Sequence, residues 1–195
     1  MLVFIDRQHA GKPSRPDDRG ASFDINQDGR ITNDEKEAHW TGYLSLILEQ
    51  RLMDLGHQVI PLSDGTYTDR HIRVNDYSSR FDCQMVYLAM HLNAGGGDYG
   101  AFFYHHLSNP GKELAASMAK SLGEVIHVKK QKAIAAKPDN WTKNAFYTIR
   151  NVGRPVAICC EPFFMDTHND LLTPFGMSQV AIGMVQGLNK WSSGQ

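Results

Sequence analysis

The sequence predicts a single α/β domain, residues 1–195, in which a mostly parallel, twisted β-sheet is flanked by helices. Short apolar runs rich in valine, isoleucine and aromatic residues alternate with longer stretches of helical periodicity. No internal repeat and no linker rich in proline or serine divides the 195 residues. A chain of this length buries roughly 70% of the surface that it exposes when unfolded, so it can form one core without disulfides.

Branched and aromatic residues mark five segments as strands. They are Leu2–Ile5, Gln58–Pro61, Met85–Met90, Ala101–Tyr104 and Val156–Cys160. Apolar residues at three- and four-residue steps mark three helices. They are Glu35–Leu55, which Gly56 ends, Pro110–Val125 and Phe175–Trp191. Strands that alternate with helices tend to pair in parallel, and ligands then gather at the carboxyl ends of the strands.

Charge and hydropathy exclude two classes of partner. The 20 Lys and Arg are balanced by 21 Asp and Glu, which leaves no broad basic field for nucleic acid. Apolar runs such as Leu44–Leu48 fall far short of the about 20 residues that cross a membrane. The start, Met1–Asp6, lacks the basic and long apolar regions of a secretory signal. We expect either a chain that begins in the cytoplasm or one whose leader was trimmed.

Three predicted strands end near side chains that bind metals or move protons: His9, His91 and Glu161. One such residue alone is usually a solvated loop residue, but three at the ends of parallel strands are expected to meet at one edge. Imidazole nitrogen and carboxylate oxygen suit Zn²⁺, and a catalytic zinc ion commonly has three protein ligands and a water. His9 and His91 are predicted to be two ligands. The helix after the first loop offers three candidates for the third: Glu35, Glu37 and His39.

Residues 24–35 match the calcium loop of an EF-hand. The predicted calcium ligands are Asp24, Asn26, Asp28, the carbonyl of Arg30 and the bidentate carboxylate of Glu35. Gly29 permits the sharp turn, and Ile31 is expected to pack inward. The preceding segment, Pro16–Ser22, is not typical of an entering helix, so we expect a lone loop rather than a paired EF-hand. The alternative is a polar turn before a helix.

The calcium assignment helps to choose the third zinc ligand. If Glu35 binds calcium, Glu37 lies two residues further along the helix, about 200° around its axis. The two carboxylates then face opposite ways, and Glu37 is the predicted zinc ligand. His39 returns towards the Glu35 side and is the lesser candidate.

These residues resemble the motifs of the zinc-dependent N-acetylmuramoyl-L-alanine amidases of the amidase-3 type, which cut peptidoglycan, over nearly the whole chain. The turn Asp6–Gly11 is similar to the family's Asp-x-Gly-His-Gly-Gly, and Glu37 to the Glu that opens its first helix. Ala89–Ala94 resembles Ser-Ile-His-x-Asn-Ala. Arg150 and Pro155–Phe163 resemble a late Arg and Pro-Ala-Val-Leu-Val-Glu followed by Gly-Phe.

The resemblance implies that His9, Glu37 and His91 bind zinc and that Glu161 is the catalytic carboxylate. The implied reaction is hydrolysis of the amide between N-acetylmuramic acid and L-alanine. A compact chain without a leader or wall-binding module favours a monomeric phage endolysin, held in the host cytoplasm until lysis, with peptidoglycan as its partner. A trimmed host wall-remodelling enzyme is the close variant. A zinc carboxypeptidase or deacetylase is one alternative. A calcium-dependent wall-binding module with a decayed site is another, which the intact Glu161 disfavours.

Two departures from the family lie beside His9. Gln8 and Ala10 replace glycines, and only glycine adopts a positive φ without strain. Pro162 replaces a third glycine, directly after Glu161. These differences predict an altered backbone around the first zinc ligand.

Some residues stay unassigned. Asn93 could orient a ligand or bind substrate, or it could serve as a turn residue before Gly95–Gly97. Trp40, Trp141 and Tyr147 could stack on sugar or peptide, although burial is the commoner fate of a large aromatic side chain.

Overall fold

Apolar strands pair into one six-stranded sheet within residues 1–9 and 19–194, which the computed structural model describes. The strands are β1 (Leu2–Arg7), β2 (Gln58–Leu62), β3 (Met85–Met90), β4 (Gly100–His105), β5 (Gln131–Ala136) and β6 (Val156–Glu161). The helices are α1 (Glu37–Asp54), α2 (Tyr67–Ser78), α3 (Asn109–Gly123), α4 (Lys143–Ile149) and α5 (Pro174–Ser193). Short 3₁₀ turns lie at Asn33–Glu35 and Asn169–Leu171. The predicted fold class is confirmed.

The order of strands across the sheet is β2-β1-β3-β6-β4-β5. β2, β1, β3 and β6 pair in parallel, whereas β4 pairs antiparallel with β6 and parallel with β5. The carboxyl ends of β1, β3 and β6 therefore lie side by side at one edge.

Two apolar layers cover the sheet. On one face, Val3, Ile5 and Leu88 pack among buried side chains of α1, α3 and α5. On the other, Phe4 and Tyr87 pack among side chains of α2 and α4. Alternate residues of each strand thus point into opposite layers, as expected for a central strand buried on both faces.

Three elements were absent from the sequence prediction: β5, α2 and α4. β5 is an edge strand whose residues Gln131–Ala135 are exposed or only partly buried, so it lacks the apolar run of a central strand. In α2 the buried face includes Arg70, His71 and Ser78, which conceals the helical periodicity. α4 is only 7 residues long, too short for a clear periodic signal.

The predicted helix Glu35–Leu55 begins two residues later than expected. Glu35 ends a 3₁₀ turn, and Lys36 has an extended backbone (φ −111°, ψ 139°) before α1 starts at Glu37. The argument that the two carboxylates lie 200° apart on one helix is therefore wrong. The carboxylates of Glu35 and Glu37 have different surroundings because the extended backbone of Lys36 separates the 3₁₀ turn from α1.

The predicted stop at Gly56 is confirmed. Gly56 has φ of 80° and donates a hydrogen bond to the carbonyl of Met53, while His57 donates to that of Leu52. This pair of bonds is a Schellman motif, which favours glycine at the left-handed position.

Among the helices of the described residues, none is long and apolar enough to cross a membrane.

Candidate metal centre and active site

The edge formed by β1, β3 and β6 brings the predicted residues together. His9 follows β1 by two residues, His91 directly follows β3, and Glu161 is the last residue of β6. The amide of His91 donates to the carbonyl of Cys160 over 2.9 Å, which fixes His91 against β6. Parallel pairing therefore converts three distant positions in the sequence into neighbours.

Glu37 joins the two histidines from the first turn of α1. Its Oε1 lies 2.9 Å from His91 Nδ1 and 3.5 Å from His9 Nε2, and the two ring nitrogens are 3.2 Å apart. A tetrahedral zinc ion with bonds of about 2.05 Å holds its ligands about 3.3 Å apart. Among the residues described, these are the three His, Cys, Asp or Glu side chains grouped closely enough to hold one ion. Their donor atoms and spacing fit zinc.

The Glu37 carboxylate is fixed by backbone donors as well. Oε2 accepts from the amide of Ala21 over 2.8 Å, and Oε1 accepts from that of Leu92 over 3.1 Å. A Cβ on Gly20 would lie 2.3 Å from Glu37 Oε2 and 2.8 Å from His9 Cδ2. Glycine is required there, because the chain passes directly against two of the three grouped residues.

Electrostatics keep Glu37 charged. Burial alone would raise the pKa of Glu37, but the hydrogen bond and positive charge of His91, with the charge of His9, bring it below its ordinary value. Burial lowers the pKa of His91, but the Glu37 contact outweighs it and raises that pKa overall. An anionic carboxylate beside two imidazoles is a suitable environment for a divalent cation.

The unusual backbone expected beside His9 falls on His9 itself. His9 has φ of 60°, in the left-handed region, whereas Gln8 has no positive φ and its side chain is fully buried. Ala10 and Gly11 lie outside the described residues. The backbone is thus unusual at His9 rather than at the preceding Gln8.

Glu161 shares a cavity of about 390 Å³ with the three grouped residues. The same cavity is lined by Tyr67 of α2 and by four residues of α4: Asn144, Ala145, Tyr147 and Thr148. Burial is the main cause of a raised pKa at Glu161, and the charge of Glu37 adds to the rise. The charge of His91 and a hydrogen bond from Asn93 act in the opposite direction. The cavity therefore combines three grouped side chains that could hold a metal ion with a carboxyl group whose pKa is raised.

His39 and the three aromatic candidates are placed differently. His39 is exposed and packs its ring edge-on against Trp40 at 4.9 Å, outside the group of His9, Glu37 and His91. Trp40 is buried in the core, whereas Trp141 and Tyr147 are 67% and 47% exposed. Only Tyr147 of these aromatics lines the cavity.

The loop of residues 24–35 directs its polar side chains towards its own backbone. Asp24 accepts from the amides of Asp28 and Gly29, and Asp28 accepts from that of Arg30. Asn26 also accepts from the amide of Asp28. Ile31 is 44% exposed, so the expectation that it packs inward is wrong.

Glu35 closes this loop from its far end. Its Oε1 accepts from the amide of Ile25, and its Oε2 from the amide and hydroxyl of Thr32. Its side chain is buried, and these donors lower its pKa, the Thr32 amide most. Residues 16–18 of the preceding segment lie outside the described part. Residues 19–22 are not helical, and Ser22 pairs antiparallel with Lys36.

Sequence reasoning missed a buried ion pair beneath the site. Arg70 of α2 donates to Asp6 Oδ1 over 2.6 Å and to the carbonyl of Arg7 over 2.8 Å, and Tyr87 donates its hydroxyl to Asp6 Oδ2. Asp6, Arg70 and Tyr87 are fully buried. One signal existed: Asp6 is a charged residue inside an apolar strand and therefore needs a buried partner.

The fold and the site define an α/β domain with a candidate two-histidine, one-glutamate metal centre at the carboxyl edge of a parallel sheet. No family model matches the chain, and no curated protein matches it. Solved structures do match. An N-acetylmuramoyl-L-alanine amidase from Clostridium difficile 630 is 21% identical with a TM-score of 0.73, and the match covers 100% of this chain and 97% of that one.

Two further solved structures are similar to this chain. AmiC2, an N-acetylmuramoyl-L-alanine amidase of Nostoc punctiforme, is 19% identical over 99% of this chain and 97% of that one, with a TM-score of 0.71. The catalytic domain of the CD27L endolysin, which targets Clostridia difficile, is 22% identical over 97% of both chains, with a TM-score of 0.67. The chain therefore has the fold of these proteins along nearly its whole length.

Proposed function

We propose that this chain is a zinc-dependent peptidoglycan hydrolase that cleaves the amide bond between N-acetylmuramic acid and L-alanine. The observation that carries the proposal is the grouping of His9, Glu37 and His91 in one cavity with Glu161. The shared fold supports it, because the matched structures include enzymes named for this reaction.

His9, Glu37 and His91 are the proposed zinc ligands. Zinc, when bound, lowers the pKa of a coordinated water towards about 7 and polarises a carbonyl group. The Ala21 and Leu92 amides hold Glu37 in place, as donors to a ligating carboxylate commonly do. The ligand geometry is therefore largely set by the fold.

Glu161 is the proposed general base and acid. A neutral amide is a poor electrophile with a poor leaving group, so its hydrolysis needs a proton removed from the attacking water and a proton delivered to the departing nitrogen. Glu161 can do both in turn, and burial raises its pKa above the ordinary value, which strengthens it as a base. The leaving group is the amino group of L-alanine.

Purified peptidoglycan digested with the zinc-loaded protein tests this proposal. Mass spectrometry should show stem peptides with a free L-alanine amino terminus. Glu161→Gln should bind one zinc ion per chain, as the wild type does, but release no such peptides. Shortened stems would instead indicate a carboxypeptidase, and loss of acetyl groups a deacetylase. Binding to the wall without products would indicate a decayed module.

We place the activity in phage lysis, with a monomeric enzyme held in the host cytoplasm until the membrane is breached. One matched structure, the catalytic domain of an endolysin, supports this setting. Expression in a host followed by permeabilisation of its membrane should clear the culture with the wild type but not with Glu161→Gln. Light scattering on a sizing column checks the monomer.

We also propose that the loop of residues 24–35 binds Ca²⁺ and stabilises the start of α1. Asp24, Asn26, Asp28, the carbonyl of Arg30 and Glu35 are the proposed ligands. Their hydrogen bonds to loop amides support the proposal, because a carboxylate oxygen that accepts one such bond keeps a second lone pair for a cation. The same bonds fit the alternative of a polar turn, so a calcium titration decides between the two.

A further inference from the structure

Asn93 makes a direct contact with the carboxylate of Glu161. Its Nδ2 donates to Glu161 Oε2 over 2.5 Å, across 68 positions of sequence. Asn93 is in the loop after β3, two residues beyond His91, and Glu161 ends β6. The contact therefore joins the strand end that carries His91 to the strand end that carries the proposed acid and base.

The orientation of the Asn93 amide is set by its other partner. Asn93 Oδ1 accepts from the amide of Ala94 over 2.9 Å. A side-chain amide has one accepting oxygen and one donating nitrogen. With the oxygen engaged at Ala94, the nitrogen is the atom that faces Glu161, as the carboxylate requires.

The backbone of Asn93 is held independently of its side chain. Its amide donates to the carbonyl of Phe163 over 3.1 Å, and its carbonyl accepts from the amide of Met165 over 2.8 Å. Asp166 Oδ2 accepts from the amides of Gly95 and Gly96 at 2.8 Å each. The loop thus has anchors that remain when the Asn93 side chain is changed.

The Glu161 carboxyl needs such a donor. Burial favours its neutral form, and the charge of Glu37 acts in the same direction. The Asn93 donor and the charge of His91 oppose them. A donor fixed on Oε2 stabilises the carboxylate and limits rotation of the group, so that Oε1 remains the oxygen free to exchange a proton.

We propose that Asn93 is a positioning residue for Glu161, which it orients for proton transfer through the bond to Oε2. This rests on the proposed role of Glu161 as general base and acid.

Asn93→Asp removes the donor of this bond and puts a like charge in its place. The aspartate keeps an oxygen for the Ala94 amide and leaves the backbone bonds intact, but it replaces the donor with a like charge. On a soluble peptidoglycan fragment, kcat should fall about 10- to 100-fold, the range typical of lost outer-shell partners. KM and zinc content should stay near wild-type values. The acid limb of the kcat profile should move to higher pH, because the new charge raises the pKa of Glu161.

A second readout does not depend on the reaction. The ¹³C resonance of the Glu161 carboxyl, assigned with Glu161→Gln, should titrate at higher pH in zinc-loaded Asn93→Asp than in the wild type. If the wild type hydrolyses nothing, the proposed function fails, and this titration still decides whether Asn93 controls Glu161.

Asp166→Ala serves as the control for loop anchoring. It removes both bonds to Gly95 and Gly96 without touching Glu161, so the Glu161 titration should stay at its wild-type position. Wild-type kcat and titration in Asn93→Asp would overturn the proposal. The proposal would also be overturned if Asp166→Ala changed kcat and the Glu161 titration as much as Asn93→Asp does. Loss of loop anchoring, and not loss of the Asn93 bond, would then explain both changes.

Discussion

Asp6 and Arg70 form a fully buried ion pair, 2.6 Å from Oδ1 to Nη1, that ties the end of β1 to α2. Arg70 also donates to the backbone carbonyl of Arg7, two residues before His9. The guanidinium therefore fixes the part of the chain from which the first proposed zinc ligand extends. Breaking the pair leaves a charge buried without compensation, which is far more costly than losing an exposed ion pair.

Arg70→Met should destabilise the protein by about 3–5 kcal/mol, because Asp6 stays buried in the core and loses its cation. Arg73→Met is the matched control, one turn further along α2. Arg73 pairs with Asp64 at the surface, where the two side chains are 43% and 77% exposed, so its loss should cost at most about 1 kcal/mol. Urea unfolding of both variants measures the difference, and equal midpoints would contradict this view of Asp6 and Arg70.

The parts of the fold that the sequence predicted are those with strong local signals. The runs at Leu2–Ile5 and Met85–Met90 are buried on both faces and have an unbroken apolar character. Gly56 marked the end of α1 through a conformation that favours glycine. The edge strand β5 and the polar helix α2 are held by tertiary contacts, which local pattern does not encode.

In the candidate site, too, some residues could be predicted from the sequence and others could not. His9, His91 and Glu161 could be predicted because parallel strands bring their carboxyl ends to one edge. Glu37 was the predicted third ligand, yet the helical geometry used to choose it was wrong at Lys36. The bond from Asn93 to Glu161 could not be predicted, because it depends on how two loops pair after their strands end.

Glu37→Gln should lose zinc. The change keeps the size of the side chain but removes the negative charge and one lone-pair site that would face the ion. Loss of a proposed direct ligand should weaken zinc affinity by more than the roughly 100-fold that loss of an outer-shell partner costs. Competition with a fluorescent zinc chelator measures the constant.

His39→Ala is the control for that experiment. His39 was the lesser candidate for the same role and lies exposed two residues further along α1, so its removal should leave zinc affinity unchanged. Equal weakening in both variants, or in His39→Ala alone, would contradict the assignment of Glu37.

Calcium should raise the Tm of the zinc-loaded wild type but not that of Asp24→Ala. A ligand that binds only the folded chain stabilises it by about 2.7 kcal/mol at 100 times its dissociation constant. Asp34→Asn is the control, since Asp34 lies in the loop but is not a proposed ligand. Differential scanning calorimetry with calcium and with chelator measures the shifts. An identical rise in wild type and Asp24→Ala would refute the loop as the binding site.

His71 should make stability depend on pH. Its side chain is buried, and burial is the main cause of a pKa below the ordinary 6.5. The charges of Arg70 and Arg150 lower the pKa further. The hydrogen bond to the Thr148 carbonyl and the charge of Asp6 act to raise it. At pH values between the pKa of His71 in the folded chain and its pKa in the unfolded chain, the unfolded chain binds more protons than the folded one. The stabilising contribution of neutral His71 is complete above about pH 6.5 and is lost as pH falls through the folded pKa.

His71→Gln removes this titration while keeping a donor for the Thr148 carbonyl. Urea unfolding between about pH 7 and pH 5 should show the wild type losing stability faster than His71→Gln as pH falls. His39→Gln, a change at an exposed histidine, should follow the wild-type curve. If the wild-type and His71→Gln curves run parallel across that range, His71 has the same pKa in the folded and unfolded chains, and its burial between α2 and α4 carries no linkage to pH.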